Sequence, residues 1–275
     1  MVGIIALLAA MLFPAIQMVR ESARRTTCTN SVRQLAIASL NFEANHGRLP
    51  LGVSNPSSVN PYRGMTWIAQ LLPYLDQSPM WERAKQDYQH NPRPIGNHVG
   101  FQTVLPVVGC PSDPVSGQTH FTRGRYLVAC TDYLGVHGTN YQAGDGVFGS
   151  GMVIELSDIT DGLSNTLLIG ERPPSTDFWY GWWYASGGVF DATLGVAEVN
   201  PLEDGVMNNC PRGPYSYAAG TNVQCDTFHF WSYHPGGANF ALADGSVRLI
   251  PYGTADATMQ SLATRSGGEP VSVEF

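Results

Sequence analysis

The sequence predicts an α+β fold, with one long N-terminal helix packed on a C-terminal head of short antiparallel strands. Three observations predict it. Residues 15–46 contain neither Pro nor Gly, so nothing in them breaks a helix. The stretch HPGGANFALADGSVRLI (234–250) holds two five-residue apolar-patterned runs, 239–243 and 246–250, separated by Asp244-Gly245. The whole chain carries 30 Gly and 19 Pro in 275 residues, which confines most of the remainder to turns and short elements.

The helix begins with an uncharged run, 2–16, interrupted only by Pro14. Fifteen helical residues cover about 22 Å, against the roughly 30 Å of a bilayer core. Beyond it, Val32, Leu35, Ser39 and Phe42 recur at spacings of three and four, with Ile37 and Leu40 broadening the stripe. Gly47 is placed to cap the C-terminus. The expected domain division is therefore 1–46, a helix whose first sixteen residues sit in lipid or against identical helices, and 47–275, a globular head. Arg20, Arg24 and Arg25 with Glu21 follow the apolar run. No flank precedes it for the positive-inside comparison, and a start inside an apolar helix points to further sequence upstream.

Along the head, 52–64 reads as a loop. Residues 65–77, with Trp67, Ile68, Leu71, Leu72 and Leu75, read as a helix that Pro73 kinks or splits in two. Residues 85–100 look irregular, and 101–108 reads as a strand leading into a turn at Cys110-Pro111. Residues 152–156, 167–170 and 178–184 read as short strands. Asp244 and Gly245 form the structural turn of the final hairpin, expected as a two-residue type I′ turn. That turn would pair Leu242 with Val247, Ala241 with Arg248 and Phe240 with Leu249, burying one face.

Composition excludes some functions. Apolar residues make up 43% of the chain, enough for a core, while charged residues make up only 13% against about 25% in ordinary soluble domains. Lys85 is the single lysine and the formal net charge is −7, so a nucleic-acid surface is not expected. Neither GxSxG nor HExxH occurs, and no catalytic residue is assigned. His229 and His234, five apart among aromatics, could ligate a metal, or could pack and start the turn into the hairpin.

Five cysteines stand at 28, 110, 130, 210 and 225, with no CxxC pair, which argues against a local structural zinc motif. In an exported chain, Cys210 and Cys225 bracket a short loop and form the first disulfide candidate. Cys110 with Cys130 is the second, leaving Cys28 on its helix. Five free thiols in a reducing compartment are the alternative.

Several stretches match one known pattern. IIALLAAMLFPAIQMVRESARRTTCTNSVRQLAIASLNF resembles, at Pro14, Gln17, Arg20, Glu21, Ala23, Arg24, Arg25, Cys28, Asn30 and Gln34, the N-terminal helix of the DUF1559 family, large pseudopilin-like proteins of planctomycetes. LLPYLDQ, CPSD, TDYLG, SDITDGLSNTLLIGE and HPGGANFALADGSVRLI follow in the family's order. The resemblance implies a non-catalytic, membrane-anchored pilin- or pseudopilin-like subunit of a type IV pilus or type II secretion-like assembly. Such a subunit would be held in the inner membrane with its head in the periplasm or at the cell surface. It would self-assemble with other pilin-like subunits through Ile4, Leu8, Leu12 and Pro14. The prepilin-peptidase site and the pilin-type glutamate are missing, which implies truncation before Met1.

The resemblance also raises calcium as a ligand, since related pseudopilins stabilise a loop with it. Asp158, Asp161, Ser164 and Asn165 offer hard oxygens, with Asp132, Asp145 and Asp244 as further candidates. The alternative is that these side chains cap backbone groups. Tyr215, Tyr217, Phe228, Phe230, Trp231, Tyr233, Trp179, Trp182 and Trp183 could form a carbohydrate- or surface-binding platform, a second function, or could fill the core.

Overall fold

The computed structural model describes residues 2–55, 60–188, 190–198, 210, 212–216 and 225–268, and for 2–11 the backbone alone. Helix α1 runs Val2–His46. Its end follows from Gly47, which adopts φ +67° and donates its N–H to the Glu43 carbonyl at 2.7 Å, a left-handed cap open to glycine. The stripe read from the sequence is the buried one: Cys28, Val32, Leu35, Ala36, Ser39 and Phe42 all face the head. Ile37 lies outside it and is exposed. Leu12, Phe13, Ile16, Met18 and Val19 are exposed, so the earlier turns of α1 stand clear of the head.

That helix corrects the expected anchoring. No helix among the described residues is long and apolar enough to cross a membrane. The uncharged run is fifteen residues and is soon followed by Arg20, Glu21, Arg24 and Arg25, so the apolar length falls short of a bilayer core. Helix α1 thus does not support the inner-membrane anchoring that the resemblance implies, nor the membrane-held pilin subunit assembling with its like that depends on it. Of the residues assigned to assembly, Leu12 is exposed and Pro14 lies inside α1. The side chains of Ile4 and Leu8 lie outside the described residues.

The head is built on a five-stranded sheet in the order β5-β3-β4-β6-β7. The strands are β3 (Tyr133–Gly138), β4 (Leu167–Glu171), β5 (Thr193–Gly195), β6 (Gly237–Leu242) and β7 (Val247–Pro251). All neighbours are antiparallel except β3 and β5, which are parallel. A separate hairpin, β1 (Thr119–Thr122) and β2 (Tyr126–Ala129), flanks the sheet. Helices α2 (Trp67–Gln70), α3 (Ser78–His90) and α4 (Asp256–Ala263) complete the head.

The two faces of the sheet bury different cores. Tyr133, Ile169, Ala241 and Ala243 join the α1 stripe in one. Leu134, Val136, Leu167, Phe240 and Leu242 pack with Met259 and Leu262 of α4 in the other. Every residue of β3, β4 and β6 is therefore buried, so the single buried face expected for the last hairpin becomes two on β6, while on β7 only Ile250 is buried.

Its register also differs by one residue. Ala241 opposes Val247 and Phe240 opposes Arg248. The Gly245 N–H reaches the Leu242 carbonyl at 2.9 Å, and the Leu242 N–H reaches that of Ser246 at 2.8 Å. Gly245 has φ +83° while Asp244 is not in the positive-φ region. This is a three-residue loop with a glycine bulge, not the two-residue type I′ turn, and Asp-Gly chemistry suits either. Gly237 serves a different need: a Cβ there would lie 2.3 Å from the Ile250 carbonyl oxygen across the ladder.

Residues 65–77 form α2 and a 3-10 turn at Leu72–Tyr74, with Pro73 in the turn. Residues 85–90 belong to α3, although they read as irregular, and the strand expected over 101–108 is two 3-10 turns, Val99–Gln102 and Pro106–Val108. Residues 152–156 and 178–184 form no strand; Trp182 makes one isolated bridge with Cys130.

Candidate functional site

Two regions of the head gather functional side chains. The first is a buried knot where α1 meets the sheet. His234 is carried there by the turn before β6, Glu171 ends β4, Glu21 and Cys28 project from α1, and Cys110 belongs to the 110–113 turn. Cys28 and Cys110 form a disulfide. His234 Nδ1 and Glu21 Oε1 lie 2.7 Å apart, and His234 Nε2 stands 3.5 Å from Glu171 Oε1 and 3.5 Å from Cys110 Sγ. Ser112 Oγ donates to Glu21 at 3.1 Å, and Arg24 closes on Glu21 at 2.7 Å. Glu171 accepts the Asn239 N–H at 2.6 Å and its side-chain amide at 3.0 Å.

Burial works against charge on His234, yet the nearby Glu171 and then Glu21 outweigh it and hold the imidazole above its ordinary pKa. Burial raises Glu21, but hydrogen bonds from His234, Arg24 and Ser112 carry its carboxyl below the usual range. The His234 and Glu171 side chains are almost wholly enclosed, so the knot offers no surface for a substrate.

The second region is a cavity of about 410 Å³ between the β1–β2 hairpin and residues 179–191. Tyr126, Tyr141, Trp179, Tyr180, Trp182 and Phe190 wall it, with Ile95, and Arg125 and Asp191 add the charged groups. The rings support one another edge to face, Trp179 on Trp182 at 5.8 Å and Tyr180 on Phe190 at 6.4 Å. The Arg125 guanidinium stands 5.0 Å from the Tyr126 ring centre and makes no ion pair among the described residues. Asp191 accepts from Ser186 Oγ at 2.8 Å and from the Gly187 N–H at 2.9 Å. Burial still pushes its carboxyl up to about 6. Buried Arg172 gives its N–H groups to the Pro173 and Phe190 carbonyls at 2.9 and 3.0 Å, and burial pulls its pKa down to about 10.

The residues read from the sequence are distributed differently. Cys210 is bonded to Cys225. Cys110 pairs with Cys28 and not with Cys130, which is free, because Cys28 points from the buried stripe of α1 straight at the 110–113 turn. Of the oxygens suggested for calcium, Asp158 accepts the Glu155 N–H at 2.9 Å. Asp161 accepts those of Gly267 and Gly268 at 2.6 and 2.9 Å. Asn165 donates to the Asp161 carbonyl at 3.2 Å, and Ser164 is exposed. Asp145 binds the Thr139 N–H at 2.7 Å and Asp244 that of Ser246 at 2.8 Å. These carboxylates are engaged in capping backbone groups. Asp132 accepts the Cys110 N–H at 2.6 Å, and burial, then Asp113, hold it well above the carboxylate range.

The expected aromatic platform does not assemble. Trp183, Phe228, Phe230 and Trp231 are buried, Tyr215 stacks on His229 at 3.4 Å, and Tyr217 lies outside the described residues. Only Trp179 and Trp182 of them reach the cavity; Tyr126, Tyr141, Tyr180 and Phe190 are scattered over 65 residues with no period that would mark them as one surface. His229 binds Asp226 at 3.0 Å and belongs to neither region.

Over residues 17–257 the chain matches the family described as a protein of unknown function, DUF1559. The match begins at Gln17, beyond the uncharged run. No curated protein and no solved structure matches the chain.

Proposed function

Because the chain belongs to the DUF1559 family, a description that assigns no activity, we propose from its geometry that it is a non-catalytic recognition protein. Its head binds a compact, flat, largely apolar ligand carrying an anionic group. The observation that carries this reading is the aromatic-walled cavity with Arg125 among its lining residues. Its volume is that of a small-molecule site. Ring faces favour a flat partner, and the guanidinium, outside any ion pair with a described carboxylate, favours an anion. Asp191 is bound by Ser186 and Gly187 and supplies the wall with its shape more than with a free charge. The resemblance to pilin-like proteins enters this reading as architecture only: a long helix laid on a sheet.

The test is titration with simple aromatic carboxylic acids and their neutral amides, followed by tryptophan fluorescence. Saturable binding of an acid, tighter than of its amide, is expected. Trp179→Ala should weaken it about tenfold, in line with one aromatic contact, and Arg125→Ala should abolish the preference for the acid. Failure of the whole panel to bind, or binding indifferent to Trp179→Ala, refutes the reading.

A further inference from the structure

We propose that the knot where α1 meets the sheet is a redox-gated zinc site, empty of metal while Cys28 and Cys110 are bonded to each other and closed around Zn²⁺ when they are reduced. One ligand atom each from Cys28, Cys110, Glu171 and His234 lies within 4.8 Å of the others, and all four residues are buried. Four-coordinate zinc with two sulfurs, one nitrogen and one oxygen needs neighbours about 3.6 Å apart, from bond lengths of about 2.0–2.3 Å. Opening the sulfur–sulfur bond supplies the largest part of the change.

The surroundings point to a cation as well. Glu21 Oε1 lies 2.7 Å from His234 Nδ1, so Nδ1 is occupied and Nε2 is directed into the cluster. There Nε2 meets Cys110 Sγ at 3.5 Å and Glu171 Oε1 at 3.5 Å, the latter longer than a good N–H···O hydrogen bond. A carboxylate on the far ring nitrogen is the arrangement that orients histidine ligands of zinc. Asn239 fixes Glu171 through its backbone N–H and its amide, so the oxygen ligand is oriented too. Thiolate and imidazole together select zinc over the hard cations. The site escapes the usual sequence signature because its ligands come from four separated segments, at 28, 110, 171 and 234.

The chemistry balances with a dithiol reductant. One of its thiolates attacks a sulfur of the Cys28–Cys110 bond, and the mixed disulfide resolves within the reductant. Two electrons and two protons pass to Cys28 and Cys110, and the reductant leaves as its own disulfide. Zn²⁺ then displaces the two thiol protons to water as it binds.

The experiment uses the full chain, kept oxidised or reduced without air by a phosphine that water converts to its oxide. Zinc is measured by release to a chromophoric chelator, and cobalt(II) reports the ligand set. One zinc per reduced chain and none per oxidised chain are expected. Cobalt should show tetrahedral d–d bands with thiolate charge transfer. The same result is expected in Cys210→Ala/Cys225→Ala, which removes the other disulfide. Glu21→Gln, a positioning change outside the ligand set, should weaken zinc binding about 10- to 100-fold; His234→Ala should abolish stoichiometric binding. Three results overturn the proposal: no stoichiometric zinc in the reduced chain, a cobalt spectrum without two thiolates, or zinc binding unaffected by His234→Ala. The wild-type cobalt spectrum decides the matter even if the His234 variant does not fold.

Discussion

Removing the Cys28–Cys110 disulfide should cost the protein more than removing Cys210–Cys225, and the difference can be worked out beforehand. The first bond spans 82 residues and the second 15. In the chain-entropy account each closure removes about 2.1 + 1.5R ln n cal/mol/K from the unfolded ensemble. At 25 °C that gives about 4.5 kcal/mol for the longer loop and about 3 kcal/mol for the shorter. Cys28→Ala/Cys110→Ala should therefore lose about 1.5 kcal/mol more than Cys210→Ala/Cys225→Ala. Urea unfolding followed by circular dichroism measures both. With a slope of about 3 kcal/mol/M, the midpoints should fall by about 1.5 M and about 1 M. The reasoning fails if the order reverses, or if the Cys28–Cys110 variant matches wild type. The second result would mean that α1 is held by its buried stripe alone, and that its covalent tie to the 110–113 turn adds nothing.

Three further outcomes are expected. Gly237→Ala puts a methyl group 2.3 Å from the Ile250 carbonyl oxygen and should cost about 2 kcal/mol or more; Gly188→Ala, with nothing within 4 Å, should stay within about 0.5 kcal/mol, and equal urea midpoints would contradict this. Burial raises Asp191 to about 6 in the folded state, above its unfolded value of about 3.9. Its contribution is therefore fully present below pH 4 and lost as pH climbs through 6, by about 3 kcal/mol. Asp191→Asn should gain that much on wild type between pH 4 and pH 7.5, and a constant difference in unfolding free energy refutes it. Burial, then Asp132, pushes the free Cys130 thiol well above its ordinary pKa, so iodoacetamide at pH 8 should leave Cys130 unlabelled in the folded chain and label it in urea, as peptide mass mapping would show.

Where the sequence was read correctly, local chemistry decided the structure. The absence of Pro and Gly from residues 15–46 carried α1 to its cap at Gly47, and the apolar run at 167–170 became β4. The hairpin around Asp244-Gly245 was legible as a hairpin but not in its register, since one dipeptide serves two loop types. Helix α3 escaped because only Ala84 and Tyr88 of its thirteen residues are buried, too few to show a period. The knot was less legible still. His234 meets Glu21 across 213 residues, a separation over which no spacing rule operates, and the helical position of Cys28 hides its pairing, although a buried helix face presents a thiol as well as a loop does. The aromatic cavity draws its walls from four segments, and nothing in their order marks them as one surface.

The wide separation between α1 and its partners sets a timetable for synthesis. Helix α1 leaves the ribosome ahead of the head, yet β6, which covers its stripe and supplies Asn239, and the turn before it, which carries His234, are completed only some two hundred residues later. At about 5–20 residues per second that is an interval of about 10–40 s. Until it ends, Val32, Leu35 and Ala36 lack the strand that completes the sheet they lie on. Cys110 arrives much sooner, 82 residues after Cys28. In an oxidising compartment the two sulfurs can join before the strand that completes the core exists. The newborn helix would then be tethered beside the 110–113 turn, with its sticky side held in place for a sheet still to be made.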